Sequence, residues 1–235
     1  MRKSVEGNIL PLLPLIGEDG SQSFFNTKYN EAYHSKIGPI TEAIHKFIEP
    51  LCIEEFLLNK SRIKILDLFF GLGYNTGIFL DTAYKITDLP IVEITAIEQD
   101  IEIIKQIKNL VVPKWYLRWK ELFMKLESKN SILQKVECEN VKITLHLENI
   151  FNMTDKLTKN YFDIILFDPF SHKVSPEFWS DSFLNFVFKL LAKGGKLSTY
   201  SGLKRVEKLA IELGYRTKRI TPIGRKKNSL LICAF

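Results

Sequence analysis

The sequence contains little cysteine, and the few cysteines lie far apart. Among 235 residues only Cys52, Cys138 and Cys233 are cysteines, and no two of them form a CxxC pair. This spacing favours neither a zinc site nor a disulfide framework, so we expect no bound metal. Because scattered cysteines are typical of reducing compartments, we expect a cytoplasmic protein.

Long apolar runs are also missing. The apolar stretch near the N-terminus is broken by Pro11 and Pro14. It is too short to span a bilayer and has no small-residue cleavage site behind it. We therefore expect neither a signal peptide nor a membrane helix, and no membrane partner.

The rest of the composition is typical of a globular protein. Hydrophobic residues make up 46% of the chain, and its length is enough for one full α/β domain with some additions. The 33 basic and 27 acidic residues leave a formal charge of +6. This surplus favours an anionic partner such as nucleic acid, although by itself it fits any soluble basic protein.

Apolar runs that predict strands alternate along the chain with amphipathic runs that predict helices. The predicted strands cover residues 63–69, 91–97, 141–147, 162–167, 196–200, 215–221 and 229–235. This alternation indicates an α/β protein with a mainly parallel seven-stranded sheet and helices on both faces. The last two strands have no helix between them and should pair antiparallel. A parallel sheet that ends in such a hairpin is the plan of the class I S-adenosylmethionine methyltransferase fold.

Two segments stand outside this alternation. Residues 1–50 are predicted to be an N-terminal extension of short strands, turns and a helix from Pro39, packed on a Rossmann-like methyltransferase domain at residues 51–235. The insert at 113–134 carries Trp115 and Trp119 at helical spacing. We expect one or two extra helices there whose aromatic side chains pack in the core, with a lid over the site as the alternative.

The stretch ILDLFFGLGYN, residues 65–75, predicts a cofactor site. A strand runs through Asp67 into a turn with Gly71 and Gly73, and a helix follows. Glycines let the backbone turn tightly, and the N–H groups at the helix start face a ligand. The next glycine is Gly77, which is one residue too late for the G-x-G-x-x-G pyrophosphate pattern. The spacing instead favours a cofactor with a cationic amino-acid arm and no phosphate.

Polar residues follow two neighbouring strands of the predicted sheet. Glu98 ends the second main strand, where an acid can accept hydrogen bonds from both ribose hydroxyls, although a surface glutamate is the alternative. Glu148 follows the third main strand, where a polar residue commonly reads an adenine amino group, although strand ends are often polar anyway. Together with the glycine turn, they favour an adenosyl ligand.

A short motif at the end of a central strand indicates the chemistry. Asp168, Pro169 and Phe170 follow the apolar strand at 162–167, and ligands of open α/β sheets lie beyond such strand ends. The motif resembles the acidic or amide, proline, aromatic motif of amine-methylating enzymes. An ordinary strand-ending turn is the bland alternative. In the functional interpretation Asp168 orients a neutral amine and helps to remove its proton, and positioning supplies much of the rate.

Six stretches then point to one family: NEAYHS, GPITEAIHKF, LDLFFGLGYN, FDIILFDPFSHKVSPEFW, LSTYSG and GRKKN. Together they resemble the methyltransferase half of the MnmC-type enzymes, which finish 5-methylaminomethyl-2-thiouridine at the wobble position of tRNA. The most specific part of the resemblance is the pattern of Asp168, Phe170, Pro176 and Trp179. Phe69 stands where the family usually has a glycine.

The resemblance implies a set of site residues. S-adenosylmethionine would be held by Asp67, Gly71, Gly73, Glu98, Gln99, Glu148 and Asp168, with Tyr33 and Asn75 as further candidates. Asp168 and Phe170 would hold the substrate amine and base, while Tyr33, His34 and Tyr200 would wall the pocket. Bifunctional members carry a flavin-dependent oxidase half after this one. Because the sequence ends at Phe235 without such a half, we expect no FAD and only the methylation step.

The basic clusters of the last third fit an RNA partner. A wobble base lies in the single-stranded anticodon loop, where phosphate contacts give affinity and aromatic stacking gives recognition. The turn with Arg225, Lys226 and Lys227 is the best RNA-binding candidate, although solvated lysines are the plain alternative for each cluster.

We therefore expect an S-adenosylmethionine-dependent tRNA N-methyltransferase that converts 5-aminomethyl(-2-thio)uridine to its 5-methylaminomethyl form. A methyltransferase or aminopropyltransferase acting on a small-molecule amine is the alternative enzyme. A catalytically dead module that binds RNA or protein is the alternative from another class. It is disfavoured because Asp67, Glu98 and Asp168 stand where a working active site needs carboxylates.

Overall fold

In the computed structural model, which describes residues 12–58, 60–86, 90–127, 131–223 and 228–235, the strands form two separate sheets. The small sheet belongs to the N-terminal extension. Its antiparallel strands follow the order β1-β2-β3, with β1 at Leu12–Ile16, β2 at Gln22–Asn26 and β3 at Glu31–Ala32. The short strands and turns predicted for this segment are therefore present in its described part.

The large sheet contains eight strands within the described residues. They are β4 Arg62–Leu68, β5 Ile91–Glu98, β6 Leu133–Cys138, β7 Val141–Leu147, β8 Phe162–Phe167, β9 Leu191–Thr199, β10 Arg216–Ile220 and β11 Ser229–Cys233. Their order across the sheet is β10-β11-β9-β8-β4-β5-β7-β6. Strands β7, β5, β4, β8 and β9 pair in parallel, and β11 pairs antiparallel with both β9 and β10. The predicted class I methyltransferase plan, with its antiparallel hairpin, is confirmed.

The prediction of seven strands was one short. The additional strand is β6, which lies at the edge of the sheet and pairs antiparallel with β7. Its side chains alternate between buried and exposed, with Gln134 and Val136 facing inwards. We predicted helices up to residue 134 because the insert before it has helical spacing. Period-2 alternation over six residues with three polar or charged side chains is a weak strand signal beside that.

Seven α-helices lie in the described ranges. They are α1 Pro39–Glu42, α2 Ile53–Leu57, α3 Tyr74–Ala83, α4 Ile101–Lys105, α5 Leu117–Met124, α6 Asp181–Lys189 and α7 Lys204–Glu212. The first continues through a π-helical segment at Ala43–Ile48 and a 3-10 turn at Glu49–Leu51. In the insert, Trp119 and Phe123 of α5 are buried in the core, as expected. Trp115 is half-exposed.

The core lies on both faces of the large sheet. Side chains of the central strand β4 alternate between the faces, as a strand requires. Ile63 and Ile65 join the cluster under α3 and α5, whereas Leu66 and Leu68 join the cluster under α6 and α7. Burial on both faces explains why β4 and β8 read as nearly continuous apolar runs. No helix in the part of the chain described by the structure is long and apolar enough to cross a membrane.

Candidate active site

A cavity lies at the carboxyl ends of the parallel strands. It encloses about 1040 Å³, including some space open to solvent, and residues that follow β4, β5, β8 and β9 line it. The small N-terminal sheet and α1 supply its remaining wall. Nine sequence-predicted site residues meet there: Tyr33, His34, Gly71, Asn75, Glu98, Gln99, Asp168, Phe170 and Tyr200.

The two glycines of the turn have different tasks. Gly71 has φ +55° and lines the cavity, and a Cβ there would meet no heavy atom closer than 3.8 Å. Gly73 has φ +79°, precedes α3 and does not line the cavity. A Cβ at Gly73 would come within 2.7 Å of Phe70 and 2.9 Å of Phe123. Close packing therefore explains Gly73, which we had predicted as a cofactor contact.

Glu98 is fixed by backbone donors at the end of β5. Its Oε2 accepts from the backbone N–H of Gly71 at 2.9 Å. Its Oε1 accepts from the N–H groups of Gln99 and Asp100, both at 2.8 Å. Burial raises the pKa of Glu98 to about 7, although these backbone donors oppose the rise. A rigid carboxyl group with lone pairs to spare thus faces the cavity.

Asp67 lies beneath the turn and does not line the cavity. It is completely buried in β4, and its Oδ2 accepts from the Thr76 hydroxyl at 2.6 Å. Its Oδ1 has no hydrogen-bond partner among the described residues. Burial raises the pKa of Asp67 to about 7, the Thr76 hydroxyl opposes the rise, and Asp168 and Glu98 add to it. Asp67 thus ties β4 to the first turn of α3 rather than facing a ligand in the cavity.

Asp168 and Phe170 extend from β8 into the same cavity. The side-chain amide of Asn75 donates to Asp168 Oδ2 at 2.9 Å, which links α3 to this strand end. The indole N–H of Trp179 donates to the carbonyl of Phe170 at 2.8 Å. The half-exposed ring of Phe170 lies 4.9 Å from the ring of Tyr33, measured between centroids. A carboxyl group and an aromatic face therefore stand side by side.

The N-terminal extension holds Tyr33 and His34 against the large sheet. The Tyr33 hydroxyl donates to Asp100 Oδ2 and accepts from Asn26, both at 3.3 Å. Burial, with the nearby charge of Glu98, raises the pKa of Tyr33 and keeps its phenol protonated. His34 Nδ1 lies 2.9 Å from the Ser23 hydroxyl. His34 is thus part of the wall, and its ring also lies 5.5 Å from that of Tyr74, measured between centroids.

Glu148, a predicted site residue, does not line the cavity. Glu148 forms an ion pair with Lys156 at 3.3 Å, and its backbone N–H donates to the carbonyl of Glu98 at 2.9 Å. The residue after it, Asn149, contacts the site, because its side-chain amide donates to the side-chain oxygen of Gln99 at 2.9 Å. Arg225, Lys226 and Lys227 lie outside the described residues.

The cavity is acidic although the protein is basic. Six carboxyl-bearing residues line it: Glu31, Glu42, Glu98, Asp100, Asp168 and Glu177. Among the described residues, no lysine or arginine lines it. One basic neighbour is nearby, since the buried Lys46 forms an ion pair with Glu42. Burial alone would raise the pKa of Glu42, but Lys46 and His34 hold it below its ordinary value. Such a lining attracts cationic ligands.

Sequence reasoning missed four of these acids as site residues, together with Tyr29. Asp100 has the signature of a helix cap, and its Oδ1 does accept from the backbone N–H of Glu102. Glu31 and Glu42 lie within the stretches of family resemblance, which was a usable signal. Glu177 lies within another of these stretches, in an exposed 3-10 turn after β8.

The described residues fit an adenosyl-sulfonium cofactor. Glu98 offers carboxyl oxygens to vicinal hydroxyls, and the open side of Gly71 allows close approach to the backbone. The acidic lining suits a ligand with an ammonium and a sulfonium group. The apolar side chains of Phe69, Phe70 and Leu72 lie in the same wall.

Comparisons with known proteins agree with this fit. The profile of a family described as S-adenosyl-L-methionine-dependent methyltransferases matches residues 112–233, just over half of the chain. An uncharacterised protein of Methanocaldococcus jannaschii is 28% identical over 216 residues, which cover 91% of this chain and 57% of that protein. The bifunctional tRNA 5-methylaminomethyl-2-thiouridine biosynthesis protein MnmC of Campylobacter hominis is 27% identical over 203 residues.

The alignment with MnmC covers 81% of this chain and 28% of that protein. The chain thus spans about half and about a quarter of the lengths of these two relatives. Among solved structures, MnmC2 from Aquifex aeolicus superposes with a TM-score of 0.81 at 25% identity, covering 96% of this chain and 71% of that one. These likenesses confirm the resemblance to MnmC-type methyltransferases. The chain belongs to the family of S-adenosyl-L-methionine-dependent methyltransferases, and S-adenosyl-L-methionine is its cofactor.

Proposed function

We propose that this protein is a tRNA N-methyltransferase that converts 5-aminomethyluridine, or its 2-thio form, at the wobble position to the 5-methylaminomethyl nucleoside. The observation that carries the proposal is the pairing of Asp168 with the half-exposed ring of Phe170 inside an acidic cavity. The carboxyl group suits an amine, and the ring suits a base. The name of the MnmC relative from Campylobacter hominis supports this choice of substrate.

In this proposal the cofactor side of the cavity comprises Glu98, Gly71 and Gln99. Glu98 accepts hydrogen bonds from the ribose hydroxyls, and its three backbone donors keep both carboxyl oxygens in place. When bound, the cofactor supplies a methyl group on a positively charged sulfur. The acidic lining stabilises that charge, and Asp67 acts indirectly by fixing the start of α3 through Thr76.

Asp168 and Phe170 form the substrate side. Asp168 accepts an N–H of the substrate amine, which aims the nitrogen lone pair at the methyl carbon. The Asp168 carboxylate would be the first acceptor of the proton that the substrate nitrogen must lose once it is methylated. Asn75 holds Asp168 in place, and Phe170 stacks on the uracil ring.

The direct test is incubation with isotope-labelled S-adenosylmethionine and tRNA that lacks the final methyl group, followed by nucleoside analysis. We expect label in 5-methylaminomethyl(-2-thio)uridine alone. Asp168→Asn should abolish this product while the protein still binds the cofactor, as measured by calorimetry. Tyr161→Phe is the control that should keep full activity, because Tyr161 lies at the amino end of β8, away from the cavity.

The same assay separates tRNA from a small-molecule substrate. Simple alkylamines and polyamines, offered at equal concentration in place of tRNA, should give no labelled product. Transfer to an amine but not to tRNA would overturn the proposed substrate and favour the small-amine enzyme. Absence of transfer to any acceptor, with intact cofactor binding, would also contradict the proposal.

A further inference from the structure

The turn between β2 and β3 carries a basic and an aromatic residue to the mouth of the cavity. These are Lys28, which is exposed, and Tyr29, which is half-exposed and lines the cavity. The side chain of Asn26 fixes the turn, because its Oδ1 accepts from the backbone N–H groups of both residues at 3.0 and 3.2 Å. The turn therefore presents Lys28 and Tyr29 in a defined position.

Tyr29 completes a cluster of three rings around the proposed substrate position. Its ring centroid lies 5.1 Å from that of Phe170, and the ring centroid of Tyr33 lies 4.9 Å from that of Phe170. Glu31, just after the turn, accepts from the backbone N–H of Ser171 at 3.1 Å and from its hydroxyl at 2.5 Å. The turn is thus tied to the segment that carries Asp168 and Phe170.

The charge changes sign at this rim. Inside, the cavity is lined by carboxyl groups, with no lysine or arginine in its described lining. Outside, Lys28 holds its ammonium group 5.2 Å from the centroid of the Tyr29 ring. The exposed Lys173 lies on the facing segment, shortly after Ser171. An anionic chain can therefore lie across the rim, while a neutral or cationic group enters the cavity.

We propose that Lys28 and Tyr29 form a nucleotide-recognition element, in which Tyr29 stacks with Phe170 on the base that enters the cavity and Lys28 binds a neighbouring backbone phosphate. A single-stranded nucleotide needs both contacts, since stacking recognises a splayed base and a cation neutralises its phosphate. The inference rests on the proposed function and assigns it two substrate contacts within the N-terminal extension.

The test compares the tRNA affinity of three variants with that of the wild type by filter binding, with tRNA that lacks the final methyl group. Tyr29→Ala should weaken binding by roughly tenfold to a hundredfold, the usual effect of losing one base–aromatic stack. Tyr29→Phe should bind like the wild type, because the ring remains. Lys28→Ala should weaken binding and reduce the slope of log affinity against log salt by roughly 0.7, which corresponds to one phosphate. Tyr29→Ala should leave that slope unchanged.

The chain offers a matched control pair at the amino ends of β4 and β8, whereas the cavity lies at the carboxyl ends. Tyr161 lies just before β8, and the ammonium nitrogen of Lys64 in β4 lies 3.8 Å from the centroid of its ring. Tyr161→Ala and Lys64→Ala remove the same chemical groups and should leave tRNA affinity and its salt slope unaltered. Calorimetry with S-adenosylmethionine should give wild-type affinity for all the variants, which separates loss of recognition from loss of fold.

The free nucleoside 5-aminomethyluridine separates the two contacts further. Because it has no phosphate, its KM should rise with Tyr29→Ala and stay unchanged with Lys28→Ala. If wild-type protein binds and methylates tRNA but Tyr29→Ala and Lys28→Ala bind it like Tyr161→Ala, this inference is wrong and the proposed function stands. If wild-type protein neither binds nor methylates tRNA, the proposed function itself fails. Should Tyr29→Ala not fold, Lys28→Ala and its salt slope decide.

Discussion

Phe69 adopts the backbone conformation of a glycine at a position where the family usually has one. Its φ is +71°, in the left-handed region that glycine adopts freely and a bulky side chain avoids. The ring compensates by packing 4.6 Å from Phe178 and 5.8 Å from Phe167, measured between centroids. The turn therefore has the conformation of a glycine turn, and packing of the ring offsets the backbone strain.

This conformation makes the order of two truncations predictable. Phe69→Ala and Phe69→Gly both lose the ring contacts, but only alanine retains the left-handed strain. We expect the glycine variant to be more stable than the alanine variant by about 1 kcal/mol, which reverses the usual order. Urea unfolding of both variants measures the difference. Equal stability, or a more stable alanine variant, would mean that Phe69 is not strained.

Glu98 gives the site a dependence on pH. Its pKa of about 7 means that the carboxyl group is mostly protonated below that pH, and the proposed ribose contacts and the attraction for a cation require the ionised form. Affinity for S-adenosylmethionine should therefore rise as pH increases from about 6 to 8 and then level off. Calorimetry across this range measures the rise.

The matched variant removes only the titrating group. Glu98→Gln should bind the cofactor weakly and lose the part of the pH dependence that Glu98 contributes. Glu137→Gln alters an exposed carboxyl group of β6 that does not line the cavity, so it should keep the dependence of the wild type. An identical pH profile for wild type and Glu98→Gln would remove Glu98 from the cofactor site.

At the scale of elements, the insert before β6 acts as a support for the start of α3. The hydroxyl of Tyr116 donates to the carbonyl of Gly73 at 3.2 Å and sits so close to α3 that a Cβ at Gly77 would lie 2.1 Å from it. Phe123 of α5 packs against Gly73 from the same side. Helix α3 is thus clamped where it meets the cavity.

The clamp predicts an unusual effect for a glycine within a helix. Gly77→Ala would ordinarily stabilise a helix by about 1 kcal/mol. Here we expect destabilisation by about 1–3 kcal/mol, because the new methyl group collides with Tyr116. Tyr116→Phe should reduce that loss when combined with Gly77→Ala, since the oxygen that collides is gone. A double-mutant cycle in urea measures the coupling, and simple additivity would contradict the clamp.

The elements show which features of the fold a sequence can predict. Strands β4, β5, β7 and β8 were found nearly to the residue, because β4 and β8 are nearly continuous apolar runs and β5 and β7 alternate apolar with polar residues. The edge strand β6 was missed because its pairing with β7 depends on tertiary contacts rather than on its own pattern. For the site, strand-end acids such as Glu98 and Asp168 were predictable from the rule that ligands lie at strand ends.

Contacts made by the N-terminal extension were harder to predict. Tyr29 and Glu31 reach the cavity only because the small sheet folds over the strand ends, and no periodicity encodes that arrangement. The roles of Gly73 and Asp67 also depended on packing, since both occupy motif positions yet neither lines the cavity. A motif identifies the residues of a turn, and the surrounding side chains decide which of them face a ligand.

At the scale of the whole molecule, charge is separated between the surface and the cavity. The chain carries a formal charge of +6, while the described cavity lining has six carboxyl-bearing residues and no lysine or arginine. A uniform basic protein would repel a sulfonium cofactor, and a uniform acidic one would repel RNA. The separation lets one protein attract an anionic polymer outside and a cationic ligand inside.

This separation predicts that salt weakens the binding of tRNA far more than the binding of S-adenosylmethionine. Affinity for tRNA should fall steeply with salt, by roughly 300-fold between about 50 and 200 mM if six phosphates of the single-stranded loop are contacted, because each contact releases counterions. Affinity for S-adenosylmethionine should change little, since its charges are bound within a buried, poorly screened site. Filter binding of tRNA and calorimetry of the cofactor over the same salt series measure both slopes. A flat tRNA slope would show that the basic surface does not bind the RNA backbone, whereas a steep cofactor slope would show that the acidic groups act from an exposed rather than a buried position.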